Sequence, residues 1–458
     1  MIRTALAATA LLLAVPAVAQ NQQEALDARY DRALAAGYKA LMLCSAIATS
    51  ETTGAARTPE SVEAWELTGI QQPLDGVIGG LPYRIIRQSE APGAPIQRVE
   101  VTWAADMPPR IAEHLAGEGC MAAPIGTDPE DWAIAHVPPE RGSSDALMPS
   151  DPPPSSVRSV REAAFGATYG AGSRTTVVLI TQGGKPVDWG AVEGFGVLTP
   201  QRTWSVAKSI AATLVGAAVH RGEVDVYASA GLGDEDPSDP RRAITIDHLL
   251  RMASGRYSDT PGNRTDPLYF GGAHVAEVVL DWPPLSAPGS TFRYANNDTL
   301  AAVKAISGTF NRYPPGDVLR SMGMRDTFAE TDSWGDYILS SQVWTTARDL
   351  AKFGQLYLND GKLPSGERVL PEGWVKYVTT PSGPQPPTGS FGYGAGFWLL
   401  NKEEGVPADT FAAIGNRGQY VVIVPSRKVV IVRRGEDPAG SGFDIAAFTR
   451  DVLAALPN

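Results

Sequence analysis

The sequence predicts an α+β protein: an antiparallel sheet flanked by helices, interrupted by an all-helical insertion and preceded by a small α+β region. Three observations predict it. Two strand-like runs between Thr176 and Gly190 flank Gly183-Gly184, the pattern of a β-hairpin with a Gly-Gly turn. Strand patterns then return only near the other end of the chain, at residues 394–400, 411–415, 419–424 and 428–433. The stretch between, from Gly231 to about Tyr393, carries helical spacing and loop residues. A sheet assembled from both ends of one domain, with helices inserted between, accounts for that order.

In front of this domain the chain has its own organisation. Met1-Ile2-Arg3, an apolar run over residues 4–15 and Ala17-Val18-Ala19 before Gln20 form a secretory signal peptide, residues 1–19. The apolar run is shorter than the ~20 residues a bilayer span needs, and no stable membrane span is expected elsewhere. The mature chain is therefore expected in the periplasm or outside the cell. Residues 20–138 read as a small α+β region, with a helix over 23–46 and strands within 77–86 and 97–103. No chemistry is visible in it, so a packing role is the default. Cys44 and Cys120 are the two cysteines, and an oxidising compartment favours a disulfide between them over two buried thiols. Residues 139–156, with Pro152-Pro153-Pro154, read as a linker to a domain over 157–458.

A net charge of −11 argues against nucleic acid as a partner and against an anionic membrane surface. His114, His136, His220, His248 and His274 are scattered, and neither a His-Glu-x-x-His nor a Cys-x-x-Cys motif is present. Neither a metal site nor a cofactor is expected.

Chemistry concentrates at Ser205-Val206-Ala207-Lys208. An Ala-rich apolar run over residues 210–219 predicts a buried helix with Ser205 at its first turn. Lys208, three residues on, shares the face of Ser205. The helix N-terminus adds unpaired N–H groups and a positive field beside the hydroxyl. A nucleophilic hydroxyl needs both a base and such a field. Ser-x-x-Lys alone is common, and Ser205 alone is equally a plain N-cap, so the partners downstream decide.

Tyr294-Ala295-Asn296 is the second candidate, a loop before a helix at residues 299–306. Its phenol can relay a proton if a neighbouring lysine pulls its pKa down from ~10. Its amide can hold a lysine or a substrate carbonyl. Gly415-Asn416-Arg417-Gly418-Gln419 is the third, small residues entering a central strand, where a substrate can approach the backbone. N–H groups near Gln419 and at Ser205 would form an oxyanion hole. Read singly, these are an Asx turn and a β-bulge.

Together the three motifs resemble the penicillin-recognising serine hydrolases: class C β-lactamases, DD-peptidases, family VIII esterases and 6-aminohexanoate-dimer hydrolases. The resemblance covers about residues 157–456. Ser205-x-x-Lys208 matches the family's Ser-x-x-Lys, and Tyr294-x-Asn296 matches the Tyr-x-Asn of the class C branch. Residues 245–255 and 339–358 look similar too. Trp204 and the Gly-x-x-Gly-Gln of the third motif look most like the aminohexanoate-dimer hydrolases. The third motif departs at Asn416, where the family carries Lys or His. The resemblance implies that a cation there holds a substrate carboxylate. Arg417 is the one replacement on offer, unless its side chain faces the other way.

The resemblance implies a β-lactamase/transpeptidase-like fold and an acyl-enzyme mechanism on a small-molecule ester or amide. Ser205 is the nucleophile, and Lys208 or Tyr294 the base. Asn296 positions Lys208 and substrate, and Gly418 and Gln419 lie at the oxyanion. The alternatives are a penicillin-binding sensor, a DD-peptidase or β-lactamase acting on cell-wall-like substrates, and a non-catalytic envelope scaffold. The absence of Gly-x-Ser-x-Gly argues against a Ser–His–Asp hydrolase. Nothing in the sequence fixes an oligomeric state.

Overall fold

Alternation along the strands gives the main sheet two apolar faces, and helices cover both. The computed structural model describes residues 2–132, 152–257 and 265–457. The chain begins with α1 (Ile2–Thr53), whose side chains are buried from Ala33 to Ser50. The segment Gln20–Thr53 is long and apolar enough to cross a membrane by length and composition, but its most apolar window is buried inside the protein. Helices α2 (Pro59–Trp65) and α3 (Asp75–Ile78) follow. A four-stranded antiparallel sheet comes next: β1 (Tyr83–Arg87), β2 (Ile96–Val101), β3 (Arg110–Leu115) and β4 (Gly119–Ala122), paired in that order.

The first two strands were legible, but β3 was not, because Arg110, Glu113 and His114 break its apolar alternation. All three are buried. Arg110 spends its guanidinium on the carbonyls of Ala33 and Ala123, at 2.9 and 3.1 Å, and so ties α1 to the sheet. The Cys44–Cys120 disulfide forms a second tie, from α1 to β4. Its sequence separation of 76 corresponds to about 4 kcal/mol of stabilisation on the chain-entropy model.

Of the expected linker, residues 139–151 lie outside the described residues; Pro154 caps α4 (Ser155–Ala163). The hairpin β5 (Thr175–Gln182) and β6 (Lys185–Ala191) turns on Gly183 and Gly184, with φ of 59° and 77°. Only a residue without Cβ takes both values readily, which is why the turn is Gly-Gly. β7 (Gln201–Arg202) leads into α5 (Val206–His220). The insertion holds α6 (Ile246–Leu250), α7 (Asp266–Tyr269), α8 (Val275–Val279), α9 (Asn296–Ala305) and α10 (Pro315–Ser321). It is not wholly helical: β9 (Val343–Thr345) pairs with β7 on one side and β8 (Thr327–Ala329) on the other in a small sheet, its strands too short to show a period in sequence.

Then come α11 (Ala347–Leu358) and α12 (Trp374–Thr379), followed by β10 (Gly392–Tyr393) and β11 (Trp398–Leu399). The chain closes with β12 (Phe411–Gly415), β13 (Gln419–Val424), β14 (Val429–Gly435) and α13 (Ile445–Ala455). The expected strand over 394–400 is instead a hairpin bend. Gly394 N–H donates to the Phe397 carbonyl at 2.9 Å, and Gly396 has φ 79°. The main sheet is antiparallel, in the order β10-β11-β12-β13-β14-β5-β6. Val177, Leu179, Val421, Ile423, Val430 and Val432 face the core shared with α5 and α11. Val178, Ile180, Val422, Val424, Val429 and Ile431 face α13 and the buried Val157 of α4. This is the β-lactamase/transpeptidase-like architecture the sequence predicts.

The N-terminal region packs directly on the insertion. Tyr38 and Phe270 rings lie 4.6 Å apart. Glu330, just after β8, is buried; it accepts from Ser45 Oγ and, at 2.9 Å, from Cys120 N–H. Burial pushes its carboxyl up to about 7, against the pull of Ser45, Cys120 and Arg202. A folded-state pKa above the ordinary 4.5 means that the folded chain keeps the proton longer. This contribution to stability is full below pH ~4.5 and is lost as pH rises through 7. Glu330→Gln, neutral throughout, should therefore gain on wild type between pH 4.5 and 8 by on the order of 3 kcal/mol. The gain is read as a widening difference in Tm; parallel Tm profiles would remove the argument.

Candidate active site

The site forms where α5, α9 and the ends of β9 and β12 converge. β7 pairs with β9, and Thr203 N–H donates to the Val343 carbonyl at 2.8 Å, which fixes the approach to the serine. Trp204 then takes φ 48°, a left-handed conformation that costs a bulky residue energy. The Arg202 guanidinium stacks 3.7 Å from the Trp204 ring centroid and holds it. The sharp turn delivers Ser205 to the N-cap of α5.

Lys208 points back along the same face. Its Nζ lies 3.0 Å from Ser205 Oγ, 2.6 Å from Asn296 Oδ1 and 3.0 Å from the Ser340 carbonyl. The residue is 2% exposed, and this desolvation pulls its amine down to about 7. Two of the three partners only accept. The Asn296 orientation is set by its own amide, which donates to Thr265 Oγ1 at 3.1 Å. A neutral amine therefore has both N–H bonds committed to Asn296 and Ser340, and its lone pair left for the Ser205 hydroxyl.

Tyr294 completes the cluster. Its ring centroid is 5.1 Å from Lys208 Nζ, and its hydroxyl interacts with Ser205. The phenol does not behave as the sequence suggests. Burial raises its pKa above the usual value, with the hydrogen bond to Ser205 opposing. A lysine that is itself losing its charge near neutrality cannot pull the phenol down. Tyr294 packs in an aromatic wall with Tyr393 and Trp398, at ring centroids of 6.0 and 5.3 Å, and Phe292 extends it. The loop is set by α6: Ala295 N–H approaches Met252 Sδ at 3.4 Å, and Ser254 Oγ donates to Asp298 at 2.7 Å.

The third motif is placed differently from the sequence expectation. Arg417 points away from Ser205, and its Nε pairs with Glu436 at 2.7 Å. Gln419 is buried in scaffold: its side-chain amide donates to the Gly435 carbonyl and its Oε1 accepts from Arg434 at 2.6 Å. Arg434 in turn binds the carbonyls of Gln201, Arg202 and Thr345. Gly418 has φ 78°, and a Cβ there would lie 1.6 Å from Arg433 Nη1. Asn416 is exposed and its Oδ1 accepts from the Arg417 N–H at 2.9 Å.

Gly415 is what the motif brings to the serine. A Cβ on Gly415 would stand 2.3 Å from the Thr203 carbonyl and 3.1 Å from Ser205 N. Sequence reasoning missed it, along with Ser340 and Thr265. Ser340 lies in a stretch whose family likeness was visible, but a backbone acceptor leaves no residue-type signal. The recorded partners of His114, His248 and His274 are Ile96, Thr245, Glu277 and Ser333, not Ser205.

Fold and cluster define a serine-hydrolase fold of the Ser-Lys-Tyr kind. Residues 162–454 match the beta-lactamase family, and the chain belongs to it. A Bacillus anthracis structure assigned as a 6-aminohexanoate-dimer hydrolase is similar at 22% identity and TM-score 0.53, over 62% of this chain and 81% of that one. One from Bacteroides dorei assigned as a beta-lactamase is similar at 18% identity and TM-score 0.53, over 65% and 97%. The octameric penicillin-binding protein homologue from Pyrococcus abyssi is similar at 17% identity and TM-score 0.52, over 66% and 76%. These likenesses show the fold. No curated protein sequence matches the chain.

Because Gly415 abuts the serine's own turn, Gly415→Ala must push the strand and the Ser205 turn apart. The expected result is a loss of about 10²-fold in the rate at which a fluorophosphonate labels Ser205, with the fold retained by circular dichroism. An unchanged labelling rate would show that the approach of the two backbones has no bearing on reactivity.

Proposed function

We propose that this chain is a secreted serine hydrolase that cleaves an ester or amide of a small molecule through an acyl-enzyme. The observation that carries the reading is the desolvated Lys208 amine, 3.0 Å from Ser205 Oγ with its N–H bonds committed elsewhere. Lys208 takes the Ser205 proton as Oγ attacks the carbonyl carbon. The oxyanion is held by Ser205 N–H and by backbone of β12 near Gly415. Tyr294, neutral because it is buried, passes its proton to the leaving oxygen or nitrogen as the acyl–leaving-group bond breaks and takes in exchange the proton held by Lys208, which returns to the neutral amine. Water then attacks the acyl-enzyme, its proton returns through the same groups, and Ser205 is released. Asn296 and the Ser340 carbonyl hold the amine in place throughout.

The substrate is an uncharged one with an apolar group near the bond cleaved. The half-buried Trp398 packs on Tyr294, the half-buried Phe292 joins them through the buried Tyr393, and Arg417 has spent its guanidinium away from Ser205. That weakens the β-lactamase, DD-peptidase and penicillin-sensor alternatives, in which a cation meets a substrate carboxylate. Secretion is supported by the apolar N-terminal stretch and by the disulfide.

Ser205→Ala should lower kcat/KM on p-nitrophenyl esters by roughly 10⁴-fold or more; retained turnover would refute the assignment. For the base, the sign follows from the neutral form being active. The kcat/KM should climb with unit slope up to pH about 7 and level off above it. A plateau extending down to pH 5 would rule out Lys208 as the base.

A further inference from the structure

The N-terminal region carries no chemistry of its own, yet it reaches the third motif. The turn joining β12 to β13 is only Asn416-Arg417-Gly418, and Arg417 sits in it at φ 55°. That left-handed conformation is uncommon for a large side chain and must be held by something outside the turn. The Arg417 side chain crosses to the segment after α2. Nη1 donates to the Gly69 carbonyl at 2.9 Å, and Nη2 to the Trp65 and Thr68 carbonyls at 2.8 and 3.0 Å. Nε donates to Glu436 at 2.7 Å. The residue is 6% exposed. Its own main chain is held as well, since its carbonyl accepts from Asp437 N–H at 3.2 Å.

The receiving segment is itself fixed. The Gly69 carbonyl also accepts from Ala439 N–H at 2.8 Å. Trp65 packs edge-on against Phe195 at 5.2 Å and under the Arg174 guanidinium at 4.3 Å. Arg57 and Glu66 form a buried ion pair at 2.6 Å beside it. Two residues before Arg417 lies Gly415, whose backbone abuts Ser205 N. A rigid surface thus grips the turn that sets the depth of β12 against the nucleophile.

We propose that Arg417 is a positioning residue, through which the segment Trp65–Gly69 of the N-terminal region holds the Gly415 backbone at its working distance from Ser205. The inference rests on the hydrolase reading and adds to it a role for residues 20–132. The one cation of the third motif thereby serves the scaffold. Since Arg417 acts through the backbone, its loss should slow acylation without weakening ground-state binding.

The test compares wild type with Arg417→Ala, Arg417→Lys and Glu436→Gln. Three quantities are measured: the rate of Ser205 labelling by a fluorophosphonate, kcat and KM on a p-nitrophenyl ester of a neutral acid, and Tm. Arg417→Ala should lose tenfold or more in both labelling rate and kcat, with KM within threefold. Millimolar guanidinium should restore part of the labelling. Arg417→Lys and Glu436→Gln should fall between it and wild type. A lower Tm with labelling and kcat unchanged at the assay temperature would make Arg417 a merely structural clamp and overturn the proposal. So would an effect confined to the KM of an ester bearing a carboxylate. If Arg417→Ala does not fold, Arg417→Lys, which keeps the charge but loses the fork, carries the same comparison. Failure of wild type to label at Ser205 is read first; it would remove the hydrolase reading and this inference with it.

Discussion

The geometry of the site follows from the cost of burying one amine. Lys208 sits in the first turn of a helix that is apolar nearly all round, with no carboxylate within salt-bridge distance among the described residues. A buried ammonium in that setting is penalised far more than a buried neutral amine, and the surroundings offer carbonyls rather than a counter-charge. Asn296 Oδ1 and the Ser340 carbonyl satisfy its N–H bonds well enough to allow burial but do not restore full basicity. The amine is thereby poised to lose its proton near neutrality. Moving either carbonyl, or letting water in beside Lys208, would return the group to an ordinary lysine.

Much of the remaining structure keeps those carbonyls and the Ser205 turn in place, and arginines do most of it. Arg202 stacks on Trp204 and donates to the Ser341 carbonyl, next to Ser340. Arg434 ties β14 to the chain entering the serine turn, and Arg433 holds the Gly418 carbonyl at 2.9 Å. Arg417 ties the turn after β12 to the N-terminal region. Each is nearly or fully buried. A planar guanidinium with five donors can serve several main-chain acceptors at once, which an ammonium cannot do in a fixed plane. Breaking such a clamp leaves buried carbonyls unmet, which costs stability as well as geometry.

The sequence conveyed the fold and half of the site, for reasons that particular residues make plain. The hairpin was visible because Gly183-Gly184 has a conformational reason to be there. The strands 411–415 and 419–424 were visible because both faces of the sheet are covered, which leaves nearly continuous apolar runs. Strand β3 was hidden because Arg110 and His114 lie in the interior, where side-chain contacts with carbonyls replace apolar alternation. In the site, Ser205, Lys208, Tyr294 and Asn296 act through side chains, and residue type reports them. Gly415 and the Ser340 carbonyl act through backbone, and residue type does not. For Arg417 the sequence left two directions open, because a motif gives residue order but not which way a side chain turns; its side chain, like that of Gln419, turns into the scaffold.

In the third motif the backbone of Gly415 lies against Ser205, while the side chains of Arg417 and Gln419 turn into the scaffold. The oxyanion function needs only N–H groups at the right depth, so the residues around them are free to change provided the strand does not move. Here the side chain of Arg417 is directed at three carbonyls of the N-terminal region. The partly exposed rings near Tyr294 are those of Trp398, which packs on it, and Phe292, which packs on the buried Tyr393. Arg417, in coupling the two parts of the chain, is also withheld from the approach to Ser205. The two consequences cannot be separated, because one guanidinium cannot face both ways.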